Sequence, residues 1–194
     1  SNDASATSVG TIDSSGSVNT TAGFSIISYT GNGTANQSVA HGLGAVPKFI
    51  INKPRNDSGH WSVTNPRFLS VSDTNMMYLQ LTSAEADDTN VNGEIAPSST
   101  VFGVDDYTGV NTNNQTQIAY CFTPIKGYSA MGTFTGNGSA SSGPYVHLGF
   151  RPAWVMIKRS GGAGGWEIYD SKRDGFNPQV HGLTANTSNA EDNT

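Results

Sequence analysis

The chain has 194 residues, of which 35% are hydrophobic and only 13% are charged, and its formal net charge is -5. With only 10 Lys and Arg residues, it lacks the basic surface that non-specific nucleic-acid binding needs, so nucleic acid is excluded as an expected partner. Gly, Asn, Ser and Thr replace the missing charge, which is typical of short strands joined by tight turns and not of a disordered chain.

The predicted elements of the first half are short strands separated by turn signals. Residues 7–20 are rich in Ser and Thr and predict an incoming strand or arm, and residues 24–29 predict a strand. The Asn-Gly signal at 31–33 predicts a tight hairpin, with the returning strand at 38–41. Further strands are predicted at 48–52, 61–64, 76–81, 99–102 and 117–122, with one helical turn at 83–87.

Strands of this length, spaced by turns, predict an all-β chain built from antiparallel β-sandwich or jelly-roll-like modules. The pattern does not choose between a sandwich and a barrel. No run of about 20 apolar residues occurs, so no transmembrane helix and no membrane insertion are expected. Cys121 lies in the apolar run IAYCF, which favours a buried free thiol over a reactive one.

An internal repeat divides the chain. The motif GFSIISYTGNGT at 23–34 returns as GYSAMGTFTGNGS at 127–139. Gly31, Pro47 and Trp61 each recur as the same residue type 105 positions later. A register kept over some thirty residues predicts three parts: an incoming arm at 1–22, a complete β-module at 23–126, and a truncated second copy at 127–194.

The truncated copy has no counterpart to residues 101–122 of the first copy. Strands left without partners invite pairing with other chains, so we expect something to cover them. We expect the native chain to continue beyond Thr194. The alternative is that a neighbouring subunit supplies the cover.

No common catalytic arrangement is recognisable. The four histidines fall on turns or strand ends without the spacing of a zinc site: His41, His60, His147 and His181. The acidic pairs at 87–88 and 105–106 depart from the spacing of a calcium loop. We therefore predict no catalytic residue, no metal site and no cofactor, and we expect a protein that is not an enzyme.

The sequence does not identify individual binding residues. It does indicate which loops would carry binding. A rigid β scaffold displays variable loops, so we expect any binding at residues 56–59, 87–93, 105–114 and 160–165. Trp61 and Trp166 occupy matching places in the repeat, which favours a shared core role over two sugar-stacking sites. A weak basic group in the second copy is interpreted as a solvated sheet face: Arg151, Lys158, Arg159, Lys172 and Arg173.

Three stretches carry a family resemblance: GFSIISYTGNGT, HGLGAVPKFIINK, and the run from IAYCFTPIKGYSAMGTFTGNGS to LGFRPAWVMIKR and GGWEIYDSKRDGFNP. They resemble a repeat domain of structural proteins in marine tailed bacteriophages, found in tail-fibre or appendage proteins. The resemblance covers residues 23–178, and FRPAWVMIKR and TGNG are its most specific parts. The family has no established catalytic residues to carry over.

The resemblance implies a non-enzymatic virion module of a tail fibre or appendage, on the virion surface, that takes part in recognition of the host surface. The implied partners are other virion proteins, further copies in a trimer, and a host-surface glycan or protein. Two other classes stay open. One is a capsid decoration or assembly subunit without receptor binding, and the other is a carbohydrate-binding accessory domain.

Overall fold

The structure, a computed structural model, describes residues 1–64, 75–87 and 91–193. These residues form antiparallel β structure with two single-turn helices. The elements in chain order are α1 Ala4–Thr7, β1 Ser14–Asn19, β2 Phe24–Thr30, β3 Gln37–Ala40, β4 Phe49–Pro54, β5 Ser62–Thr64, β6 Asn75–Tyr78, β7 Ala86–Asp87, β8 Val101–Val104, α2 Thr108–Asn111, β9 Thr116–Phe122, β10 Trp154–Lys158, β11 Trp166–Asp170, β12 His181–Thr184 and β13 Asp192–Asn193.

Seven strands form the main sheet, in the order β1-β2-β9-β4-β5-β6-β7. The late strand β9 lies near its centre, because it pairs with β2 on one edge and with β4 on the other. Side chains alternate across this strand. Gln117, Ala119 and Cys121 are fully buried, whereas the residues between them are only partly covered.

The principal core lies between the main sheet and a two-stranded sheet formed by β3 and β8. Val39 and Phe102 come from the small sheet, and Ile27 and Ile50 come from the facing strands of the main sheet. Two antiparallel sheets facing each other across an apolar core make a β-sandwich. The predicted all-β antiparallel sandwich class is therefore confirmed.

Two local predictions are wrong. Strands β2 and β3 do not form the hairpin expected from the Asn-Gly signal, because β3 pairs with β8 in the other sheet. The connection between them is held by distant residues: Gly31 N–H donates to the Gln115 carbonyl and Gly33 N–H to the Asn111 carbonyl, both at 2.9 Å. The helical turn expected at 83–87 is also absent, since its last two residues form β7, which pairs with β6.

A second sheet, in the order β10-β11-β12-β13, covers part of the outer face of the main sheet. Trp166 is the centre of this contact: it is buried, and it packs with Val63, Met77 and Met156. Its indole Nε1–H donates to the Tyr78 carbonyl at 2.9 Å. The arrangement has three layers, with apolar contacts on both faces of the main sheet.

One strand pair of the second sheet has the same register as one pair of the main sheet. Ile50 lies opposite Thr64 where β4 pairs with β5, and Val155 lies opposite Tyr169 where β10 pairs with β11. Both residues of the second pair are 105 positions after those of the first. The segment 127–153, all of which the structure describes, forms no strand, although its first-half counterpart supplies β2 and β3.

Candidate functional site

An open cleft of about 230 Å³ lies where β10 begins. One side is formed by residues leading into β10, the second by β11, and the third by the turn that follows β11. The side chains that give it its chemistry are Arg151, Trp154, Tyr169, Phe176 and Gln179. Concave surfaces lined by aromatic rings and a few polar groups are the usual form of small-ligand sites.

Two aromatic rings at the cleft are uncovered. Trp154, the first residue of β10, is 55% exposed, and Phe176 is 81% exposed. Burying such a ring would stabilise the chain by roughly 1.5–3 kcal/mol. Neither of these two rings gains that stabilisation in the folded chain. Grouped exposed aromatic side chains mark binding surfaces, because the ring faces attract C–H and cationic groups of a ligand.

The turn that carries Phe176 is held in place by Asp174. One carboxylate oxygen, Oδ2, accepts the backbone N–H groups of Val180 and His181, both at 2.8 Å. The other, Oδ1, lies 2.7 Å from Nδ1 of His181. The backbone N–H of His181, followed by its side chain, lowers the pKa of Asp174, and the Asp174 carboxylate raises the pKa of His181.

The end of β11 is fixed by a second carboxylate. Asp170 Oδ1 accepts the backbone N–H groups of Lys172 and Arg173 at 2.9 and 3.0 Å. The guanidinium Nε of Arg173 lies 2.8 Å from Asp170 Oδ2, and Arg173 also pairs with Glu191. These bonds, the one from the Lys172 backbone first, lower the pKa of Asp170. Both carboxylates are thus engaged in shaping the turn.

Two exposed polar side chains at the cleft, Asn177 and Arg151, are available to a ligand. Gln179 donates through Nε2 to the Asp174 carbonyl at 2.8 Å, but its Oε1 is buried and has no partner among the described residues. Because that oxygen has no exposed surface, it is not presented to a ligand in the cleft. Asn177 adds an exposed amide, and Arg151 donates to the Gly175 carbonyl at 2.9 Å. The chemistry is suited to binding a polar ring compound.

The histidines noted in the sequence are scattered over the structure. His41 is fully buried: its Nδ1 accepts the Leu43 N–H at 3.1 Å, and its Nε2 lies 3.1 Å from the Ser98 carbonyl. Burial lowers the pKa of His41. His147, which the repeat places beside the same turn, is exposed, and the ring of His60 packs 4.4 Å from that of Tyr78.

Cys121 is buried and free, as predicted, and burial raises the pKa of its thiol to about 12. The thiol therefore stays protonated near neutral pH and is a poor nucleophile. Trp61 and Trp166, expected to share one core role, occupy different surroundings. Trp61 is half-buried and stacks on Tyr120 at 6.3 Å, whereas Trp166 is buried between the two sheets.

The four loops expected to carry binding differ in exposure and in contacts. Residues 56–59 are largely exposed, and residues 88–90 of the loop 87–93 lie outside the described residues. The loop 160–165 contacts the first half, where Gly164 N–H donates to the Thr82 carbonyl at 2.8 Å. The loop 105–114 is exposed only in part, because Asp105 and Asn111 are buried and Val110 of α2 belongs to the core.

In the ranges 1–64, 75–87 and 91–193, no three His, Cys, Asp or Glu side chains lie close enough together to hold a metal ion. Over the same ranges, no helix has the length and apolar character needed to span a bilayer.

Sequence reasoning missed the two aromatic residues of the cleft. Trp154 falls in an apolar strand pattern and matches Phe49 of the first copy, so it resembles a core residue. Phe176 is the better clue, since an aromatic residue in the polar turn DGFNP has no strand partner to bury it.

A family model for a domain of unknown function, DUF7483, matches residues 1–194. The comparisons found no match among curated proteins and none among solved structures.

Proposed function

The chain belongs to the DUF7483 family of domains, and we propose that it is a non-enzymatic structural module of a phage tail fibre or appendage. In this proposal the module is displayed on the virion surface and takes part in host recognition by binding a surface glycan. The resemblance of TGNG and FRPAWVMIKR to phage appendage domains supports the virion part of the proposal.

The cleft beside β10 is the observation that carries the glycan part. Trp154 and Phe176 present uncovered aromatic rings, and sugar rings have apolar C–H faces that pack on such rings. Asn177 supplies an exposed amide and Arg151 an exposed guanidinium, which match the hydroxyl groups at the edge of a sugar. The turn is pre-formed by Asp174, so little ordering entropy opposes binding.

The test for glycan binding uses the full chain on an array of bacterial surface polysaccharides. We expect wild-type protein to bind a subset of them, and Trp154→Ala to lose at least tenfold in affinity. Tyr145→Ala is the matched control, because Tyr145 is 87% exposed and lies outside the cleft. A blank array, or equal loss in both variants, would contradict glycan recognition through this cleft.

The virion part is tested by location. Gold-labelled antibody against residues 23–126 should decorate the tail or fibre tips of purified phage particles whose genome encodes this chain. Label spread over the capsid would contradict the tail-fibre proposal and would favour a capsid decoration subunit.

Capsid decoration or assembly is the second candidate, and a specific observation favours it. The segment that precedes β10 exposes further aromatic side chains: Tyr128 at 66%, Phe134 at 50% and Tyr145 at 87%. Apolar groups displayed over such a stretch are typical of protein–protein contacts. Under this candidate they would contact neighbouring subunits, and no receptor would be bound.

A further inference from the structure

Among the described residues, Arg151 is the only cation that lines the cleft beside β10. Its side chain is exposed, and its Nη2 donates to the Gly175 carbonyl at 2.9 Å. Gly175 directly precedes Phe176, so this bond ties the guanidinium to the turn that carries one of the two uncovered rings. The positive charge is therefore held at the edge of the cleft.

The carboxylates near the cleft are already bound by other donors. Asp170, the acidic residue of the lining, accepts the backbone N–H groups of Lys172 and Arg173 and pairs with the Arg173 guanidinium. Asp174 is bound by its own donors at the base of the turn. Within the described ranges, no carboxylate lies within ion-pair distance of Arg151. Arg151 is thus the charged group of the cleft lining that has no internal counterion there.

The guanidinium of Arg151 keeps donors free for a ligand. A guanidinium carries five N–H donors in one plane. One of them serves the Gly175 carbonyl, and the other four have no acceptor among the described residues. Two parallel donors match the two oxygens of a carboxylate, and the opposite charges strengthen both bonds. A neutral hydroxyl offers a single oxygen without that charge, so Arg151 favours an acidic sugar over a neutral one.

We propose that the cleft selects a sugar that bears a carboxylate, a uronic acid, and that Arg151 determines this selectivity. The inference rests on the proposed glycan-binding function. Arg151 binds the carboxylate, Trp154 and Phe176 pack against the C–H face of the ring, and Asn177 bonds a hydroxyl group. A carboxylate lies at the rim of a sugar ring, so ring packing and charge pairing can occur together.

The test uses the full chain on bacterial surface polysaccharides that are arrayed twice, once untreated and once after chemical reduction of their carboxyl groups to alcohols. Reduction removes the charge of a uronic acid and keeps its ring and its other hydroxyl groups. We expect the wild type to bind acidic polysaccharides, and to lose at least tenfold in affinity for the same polysaccharides after reduction. Sulfate and phosphate groups survive the reduction, so the comparison isolates the carboxylate.

Three variants assign the selectivity to Arg151. Arg151→Gln should bind the untreated and reduced polysaccharides equally, because it has no charge to pair with the carboxylate. Arg151→Lys keeps the charge but not the planar pair of donors, so it should discriminate to an intermediate degree. Arg159→Gln is the matched control, since Arg159 is exposed and lies outside the cleft lining. It should discriminate as the wild type does. Thermal unfolding of each variant checks that its fold is retained, and Arg151→Lys carries the test if Arg151→Gln does not fold.

Two results would overturn the inference and leave glycan binding intact. One is equal affinity of the wild type for untreated and reduced polysaccharides. The other is a loss of discrimination in Arg159→Gln as large as in Arg151→Gln, or no loss in either Arg151 variant. A blank on both arrays would contradict the proposed function, and this inference with it.

Discussion

The buried imidazole of His41 is held by two backbone groups. The Leu43 N–H occupies its Nδ1, and the Ser98 carbonyl faces its Nε2. This is the neutral ring with its proton on Nε2. A second proton would displace the Leu43 bond, in agreement with the direction in which burial moves the pKa of His41.

The first prediction is that His41 makes the fold sensitive to acid. The folded pKa lies below the unfolded value of about 6.5, so below that pH the unfolded chain binds more protons and stability falls. We expect the free energy of unfolding of the wild type to drop between pH 7.5 and pH 5.5 by more than that of His41→Gln. Urea unfolding at both pH values measures this, and equal drops would contradict it.

The second prediction concerns His181, where the sign is reversed. Asp174 raises the pKa of His181, so the pair stabilises the turn below about pH 6.5, and this stabilisation is lost as pH rises through the folded pKa. His181→Gln should therefore lower the melting temperature more at pH 5.5 than at pH 8.5. Thermal unfolding at the two pH values checks it.

A matched control uses the partner residue. Asp174→Asn should remove the same pH dependence between these two values, since the charged partner is gone. A His181→Gln deficit that is equal at pH 5.5 and 8.5 would show that the pair adds no charge-dependent stability.

At the scale of elements, strand identity follows local pattern, whereas strand pairing follows distant contacts. The apolar runs of β2, β4 and β9 are visible in the sequence, but the buried face is not, because Ser25, Asn52 and Gln117 lie on it. The sheet to which β3 belongs cannot be predicted in this way, because its partner β8 lies some sixty residues further along the chain. The Asn-Gly signal indicates that the backbone can turn at this point. It does not indicate whether the next strand pairs with β2 or joins another sheet.

The third prediction compares two glycines that the repeat places at the same position. A Cβ on Gly31 would lie 2.4 Å from the Thr112 carbonyl oxygen, whereas a Cβ on Gly136 would meet nothing within 4 Å. Gly31→Ala should destabilise the protein by about 1–3 kcal/mol through overpacking. Gly136→Ala should change stability by less than about 0.5 kcal/mol.

Chemical denaturation of both variants beside the wild type provides the measurement. Neither glycine has a positive φ, so backbone strain does not confound the comparison. Equal effects in the two variants would mean that the second copy buries its turn in the same way as the first.

At the scale of the whole molecule, one tryptophan joins the two sheets. Trp166 is 2% exposed, and its indole N–H satisfies the Tyr78 carbonyl at the end of β6. A backbone bond from Glu85 N–H to the Ser160 carbonyl, at 2.9 Å, adds to the contact. The stability of the second sheet therefore depends on the first.

The fourth prediction follows from this dependence. Trp166→Ala should cost about 3–5 kcal/mol, as expected for loss of a buried large aromatic side chain, and the second sheet should become sensitive to protease. Trp154→Ala, at a 55% exposed position, is the control and should leave proteolysis unchanged. Urea unfolding and limited proteolysis test both, and a protease-resistant second sheet in Trp166→Ala would contradict the dependence.

The sequence by itself determined the all-β class, most strand positions and the buried state of Cys121, because these depend on alternation, turn chemistry and apolar runs within a few residues. The tertiary structure decided which strands pair, that α2 enters the core, and that Trp154 and Phe176 stand uncovered around one cleft. It also decided that His41 is buried while His147 is exposed. These outcomes depend on which distant segments of the chain pack over a residue. A sequence pattern of a few residues cannot predict that packing.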